Sequence, residues 1–119
     1  MEYQLSFVRV FVTDWRRAIR FYTDTLEMTP TLITDGWAQF ATGEAQLAIE
    51  RVDPEDPESD ESVGRFVGVS LTLDDIDAAY RTLTGRGVEF LGAPARQPWG
   101  GVLAHLRDPD RNVLTLLGR

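Results

Sequence analysis

The stretch LSFVRVFVTDWRRAIRFYTDTL, residues 5–26, reads as a strand, a cap and a helix in succession. From Leu5 to Val12 the side chains alternate, with Ser6, Val8, Val10 and Val12 on one side and Leu5, Phe7, Arg9 and Phe11 on the other, which is strand periodicity. Thr13 and Asp14 follow with short polar side chains that can cap a helix. Trp15, Ala18, Ile19, Tyr22 and Leu26 then recur every three or four residues, one apolar stripe that packs onto a sheet.

Working outward, three short strands are expected after Pro30, over 31–34, 37–41 and 45–51. Asp35-Gly36 and Thr42-Gly43-Glu44 divide them with turn chemistry. The same order then restarts: residues 66–73 alternate, Asp74 and Asp75 cap, and Ile76, Ala79, Tyr80 and Leu83 form a second stripe ending at Gly85. Strands over 89–91, 102–107 and 112–117 complete a second βαβββ unit. A repeated supersecondary plan usually repeats in space. The expected fold is α+β: two tandem βαβββ modules, about 1–52 and 65–119, forming a curved mixed sheet around a cavity with helices on the convex face, in one domain spanning 1–119.

Residues 53–64 join the modules. They hold Asp53, Glu55, Asp56, Glu58, Asp60 and Glu61, and outside them acids and bases are nearly balanced, at 13 against 12. The net charge of −7 therefore belongs to an acidic, solvated linker rather than to a binding surface. No basic run exists to neutralise phosphates, so nucleic acid is not an expected partner. No apolar run approaches the roughly 18 residues of a membrane span, and residues 1–10 lack a signal-like pattern, so a cytoplasmic protein without membrane contact is expected. All 12 basic residues are arginine, which closes Schiff-base chemistry through lysine. With no cysteine and one histidine, His105, proton transfer is left to that residue, carboxylates and tyrosines, and the usual transition-metal donors are scarce.

Strand parity separates two faces. Val8, Val10, Leu47, Ile49, Val67, Val69, Leu71, Leu114 and Leu116 make one aliphatic throughout, suited to lie beneath helices. The other mixes Phe7, Arg9, Phe11, Gln46, Ala48, Glu50, Gly68, Ser70, Thr72, Val113 and Thr115, and curved inward it would line a partly polar cavity.

The chain resembles the vicinal oxygen chelate superfamily, which includes glyoxalase I, fosfomycin-resistance proteins, extradiol dioxygenases and bleomycin-resistance proteins. The resemblance spans the chain and rests on Val12-Thr13-Asp14 leading into Ala18, Phe21-Tyr22 and Leu26, on the second start from Val69 to Asp75, on Pro98-Trp99-Gly100, and on Asp108-Pro109-Asp110 with Asn112. It implies a homodimer whose cavities draw on both chains. It also implies metal ligands at four positions, which here read Phe7, Glu50, Gly68 and Thr115. Only Glu50 is a strong donor, so no metal and no cofactor are expected. The resemblance therefore points to the bleomycin-resistance branch, whose members sequester a ligand without metal. Glu27 and Arg111 stand where the family often has glycine, and positive φ there would cost about 1 kcal/mol.

Nine residues are expected to touch a ligand: Phe7, Arg9, Phe11, Trp37, Glu50, Ser70, Trp99, His105 and Thr115. Glu50 reads either as a pocket carboxylate and general base or as a salt-bridge partner of Arg9. His105 reads, by resemblance, as a ligand contact, or else as an ordinary hydrogen-bonded strand histidine. Trp99 and Trp37 suit stacking on a planar molecule, and Trp37 equally suits a core or dimer interface. Phe7 and Phe11 either floor a cavity or fill it, while Trp15, Tyr22, Tyr80 and Phe90 read as packing. The first functional expectation is a homodimeric protein that sequesters an aromatic metabolite or antibiotic. The alternative is a metal-independent isomerase or lyase with Glu50 and His105 as acid and base. A divergent metalloenzyme is third.

Overall fold

The computed structural model describes the whole chain except Tyr3, Glu58 and Arg119. Among the described residues nine strands form two mixed sheets. The first contains β1 (Phe7–Val12), β2 (Pro30–Ile33), β3 (Trp37–Phe40) and β4 (Gln46–Arg51), in the order β1-β4-β3-β2. The second contains β5 (Phe66–Thr72), β6 (Glu89–Phe90), β7 (Ala95–Arg96), β8 (Val102–Arg107) and β9 (Val113–Gly118), in the order β5-β9-β8-β6, with β7 also on β8. In each sheet the first and last strands pair in parallel and the remaining pairs are antiparallel. The fold is thus the expected α+β arrangement of βαβββ units, with the strands divided between two sheets.

Helix α1 (Trp15–Arg20) starts where Asp14 accepts a hydrogen bond from the Arg17 amide. It then widens into a π turn over Phe21–Thr25, closed by Leu26 N–H donating to Phe21 O. The wider turn lets two consecutive residues, Phe21 and Tyr22, both enter the core, which the plain stripe reading did not anticipate. Helix α3 (Ile76–Gly85) starts likewise, with Asp75 accepting from the Ala78 amide. Within the linker, α2 (Ser59–Ser62) is a short helical turn, and Val63 bridges to Phe11 of β1, so the linker touches the first sheet.

One core cluster runs through both sheets. Val10, Val12, Tyr22, Phe40, Leu47 and Ile49 meet Ile76, Leu83, Leu106, Leu114 and Leu116, each fully buried side chain being worth about 1.5–3 kcal/mol. Trp15 is half-buried against this cluster, and Tyr80 meets Phe90 edge to face at 4.8 Å. β1 and β5 are both edge strands. A cleft lined by Val8, Arg9 and Phe11 on one side and Arg65 and Val67 on the other separates them.

A buried side-chain amide helps to tie the halves together. Asn112, fully buried, donates through Nδ2 to Phe11 O at 2.9 Å and to Asp108 Oδ2 at 2.9 Å, and its Oδ1 accepts from the Gly64 amide at 2.8 Å. Among the described residues no helix is long and apolar enough to cross a membrane.

Candidate functional site

Register decides which side chains share a face, because residues directly paired across strands point to the same side. In the first sheet, Arg9, Ala48, Gln39 and Leu32 form one row, and Phe11, Glu50 and Trp37 form the next. Ala48 offers only a methyl at the centre. Ala48 is fully buried and lies between the row of Phe7 and the row of Trp37, whose rings meet edge to face with centroids 5.6 Å apart and planes at 86°. Trp37 Nε1 donates to Gln39 Oε1 at 2.8 Å, Gln39 Nε2 donates to Gln46 Oε1 at 3.3 Å, and the Thr31 hydroxyl donates to that same oxygen at 2.7 Å. This neutral chain fixes the indole.

On the same face Arg9 NH1 lies 3.3 Å from Glu50 Oε1, and its guanidinium stacks over Phe11 at 5.3 Å. The salt-bridge reading of Glu50 is realised, with the carboxylate one-third exposed at 32%. Arg9 remains half-exposed at 53%, so it can still meet a ligand.

The second sheet carries a corresponding cluster. Ser70, Thr115 and His105 stand in one row across β5, β9 and β8. His105 Nδ1 is 2.8 Å from Thr115 Oγ1, and Phe66 meets the imidazole edge to face at 5.5 Å. Five residues of β5, Phe66 to Ser70, stand opposite three of β9, Val113 to Thr115. Gly68 takes up the excess at φ +80°, a conformation that a side chain would strain.

Trp99 stands apart from both clusters. A tight turn closed by Gln97 N–H donating to Gly101 O at 2.7 Å folds its indole over Gly101, beside a pocket of about 440 Å³ lined with Thr72, Leu117 and Gly118. A further groove of about 790 Å³ opens between α3, β5 and the turn after β3, with Leu26, Met28, Leu71, Leu73 and Leu83 in its walls. Of the nine expected contacts only Ser70 lines it. Glu50 and His105 stand on different sheets, and among the described residues no hydrogen bond, ion pair or ring contact joins them.

Sequence reasoning missed Phe66, Gln39 and Leu32. Phe66 shares the parity of Gly68 and Ser70, a legible signal, whereas the alignment of Gln39 and Leu32 with Arg9 depends on strand order.

The four positions at which the superfamily's metal enzymes carry ligands do not fit a cation here. The Phe7 ring is against Trp37, Gly68 has no side chain, Thr115 Oγ1 is engaged by His105, and Glu50 already faces the Arg9 cation. Among the described residues no group of three or more His, Cys, Asp or Glu side chains is placed to share a metal ion.

Comparison with known proteins agrees with this architecture. The crystal structure of a member of the glyoxalase/bleomycin resistance protein/dioxygenase superfamily from Sphaerobacter thermophilus DSM 20745 superposes with a TM-score of 0.81 at 28% identity, covering 99% of this chain and 98% of that one. The crystal structure of UcmS2 gives a TM-score of 0.81 at 26% identity, covering 98% of each. Uncharacterized protein YraH of Bacillus subtilis (strain 168) is 27% identical over 120 residues, 92% of this chain and 93% of its own. The family model Glyoxalase/Bleomycin resistance protein/Dioxygenase superfamily matches residues 4–116, and with the paired βαβββ sheets it shows that the chain belongs to that superfamily.

Proposed function

We propose that this protein binds and sequesters a small aromatic molecule, a metabolite or an antibiotic, without a metal ion, as the bleomycin-resistance branch does. One observation carries the reading: each sheet presents on its mixed face an aromatic pair, Phe7 with Trp37 and Phe66 with His105, beside hydrogen-bonding groups held in fixed positions. Such faces suit a planar ring with a few polar substituents. The loss of donors at the ligand positions supports a metal-independent role. Phe7 at 41% and Phe66 at 59% exposure leave apolar surface on both faces that a second copy would cover, and a homodimer is part of the proposal.

The test is a thermal-shift screen of aromatic compounds on the metal-analysed protein, followed by product analysis of every hit. Stabilisation by an aromatic compound recovered unchanged supports sequestration. One equivalent of tightly held divalent ion per chain, or conversion of the compound, removes it. Sedimentation of a monomer at micromolar concentration removes the dimer.

A further inference from the structure

Thr115 is only 3% exposed, and among the described residues its hydroxyl has one partner, Nδ1 of His105 at 2.8 Å. A hydroxyl proton enclosed away from water needs an acceptor, because an unmade bond leaves the whole desolvation cost in place. Nδ1 is the acceptor within reach, and a ring nitrogen accepts only when it carries no proton. The neutral imidazole then has its single N–H at Nε2. The opposite tautomer would donate from Nδ1 to Thr115 Oγ1 and strand the hydroxyl proton.

Nε2 lies across the ring from Thr115 and has no partner among the described residues. Edge to face with the imidazole stands the exposed ring of Phe66. On the first sheet the mixed face carries Arg9, half-exposed, whose guanidinium has donors and no acceptor, next to the Glu50 carboxylate at 32% exposure. Nε2–H and the guanidinium are thus the hydrogens that the two faces offer to a ligand.

We infer that Thr115 fixes His105 as the Nε2–H tautomer, and that the aromatic ligand carries a matching acceptor oxygen, a carbonyl or a carboxylate, seated beside Phe66. The ligand half rests on the sequestration reading, whereas the tautomer half does not. Thr115 is thus a positioning residue, setting through His105 which polar group the site selects.

His105 is the single histidine of the chain, so a long-range proton–nitrogen correlation spectrum of isotope-labelled protein reports its ring without overlap. At neutral pH the free protein should show Nε2 protonated and Nδ1 bare. Thr115→Val should convert this to a tautomer mixture, and Thr115→Ser should restore the original pattern. A protonated Nδ1 in the unaltered protein, or an unchanged pattern in Thr115→Val, overturns the assignment. Benzoate and acetophenone should shift the Nε2–H signal and toluene should not. His105→Phe should weaken benzoate binding about tenfold, the value of one hydrogen bond, and leave toluene binding as it was. Equal shifts from all three probes, or none, overturn the ligand half. Because the protonation pattern is read without ligand, its failure is distinguishable from failure of sequestration itself.

Discussion

The phenol of Tyr22 donates a 2.9 Å hydrogen bond to Asp108 Oδ2 across 86 residues of sequence, joining the π turn of the first unit to the last loop of the second. Asp108 Oδ2 also accepts from Asn112 Nδ2 at 2.9 Å, while Oδ1 accepts from the Asn112 amide at 2.8 Å and the Asp110 amide at 2.9 Å. Burial nevertheless holds this carboxyl above its ordinary pKa, outweighing the bonds from Asn112 and Tyr22 that pull it down, and burial beside Asp108 raises the phenol of Tyr22 as well.

Tyr22→Phe removes one donor from a buried carboxylate and should cost about 1.5–3 kcal/mol in urea unfolding. A change within error would mean that the Asn112 and Asp110 donors suffice for Asp108.

The sign of the pH effect follows from the raised carboxyl. The folded chain holds the Asp108 proton more tightly than the unfolded chain, so its contribution is fully present below the ordinary carboxylate value of about 3.9 and is lost as pH rises through the raised folded value. Asp108→Asn cannot titrate. The stability of wild type minus that of Asp108→Asn should fall from acid pH upward through that window and then level off. A difference that grows with pH contradicts the assignment.

Arg111 sits at φ +70° and Glu27 at φ +59°, both in the left-handed region that favours glycine. Arg111→Gly should stabilise the protein by about 1 kcal/mol, measured by thermal unfolding. Glu27→Gly should gain less, because Glu27 Oε2 is 3.0 Å from Arg86 NH1.

Ala48→Leu adds three carbons at a fully buried position between the rows of Phe7 and Trp37. It should cost about 1–3 kcal/mol and alter Trp37 fluorescence as the rings part. Unaltered emission would show that the rings do not rest on Ala48.

Glu50→Gln breaks a partly exposed ion pair with Arg9, for which about 0–1 kcal/mol is expected. Under sequestration the variant still binds ligand. Loss of a measured turnover with binding intact would instead favour acid–base chemistry at Glu50.

Much of this protein is legible in its residues alone. The alternation of 66–73, the capping carboxylates Asp14 and Asp75, and the helical stripes are short-range properties, fixed by side-chain direction along one element, and the two βαβββ units follow from them. The lack of metal donors at Phe7, Gly68 and Thr115 is likewise a matter of composition at given positions. Tertiary structure alone decided what each polar group faces. Glu50 pairs with Arg9 because β4 lies beside β1, His105 meets Thr115 because β8 lies beside β9, and the Gly68 bulge resets the register through which Phe66 reaches the imidazole. Tyr22 finds Asp108 through the packing of one unit on the other. Strand order, bulges and unit packing join residues far apart in sequence, and no local periodicity encodes those distances.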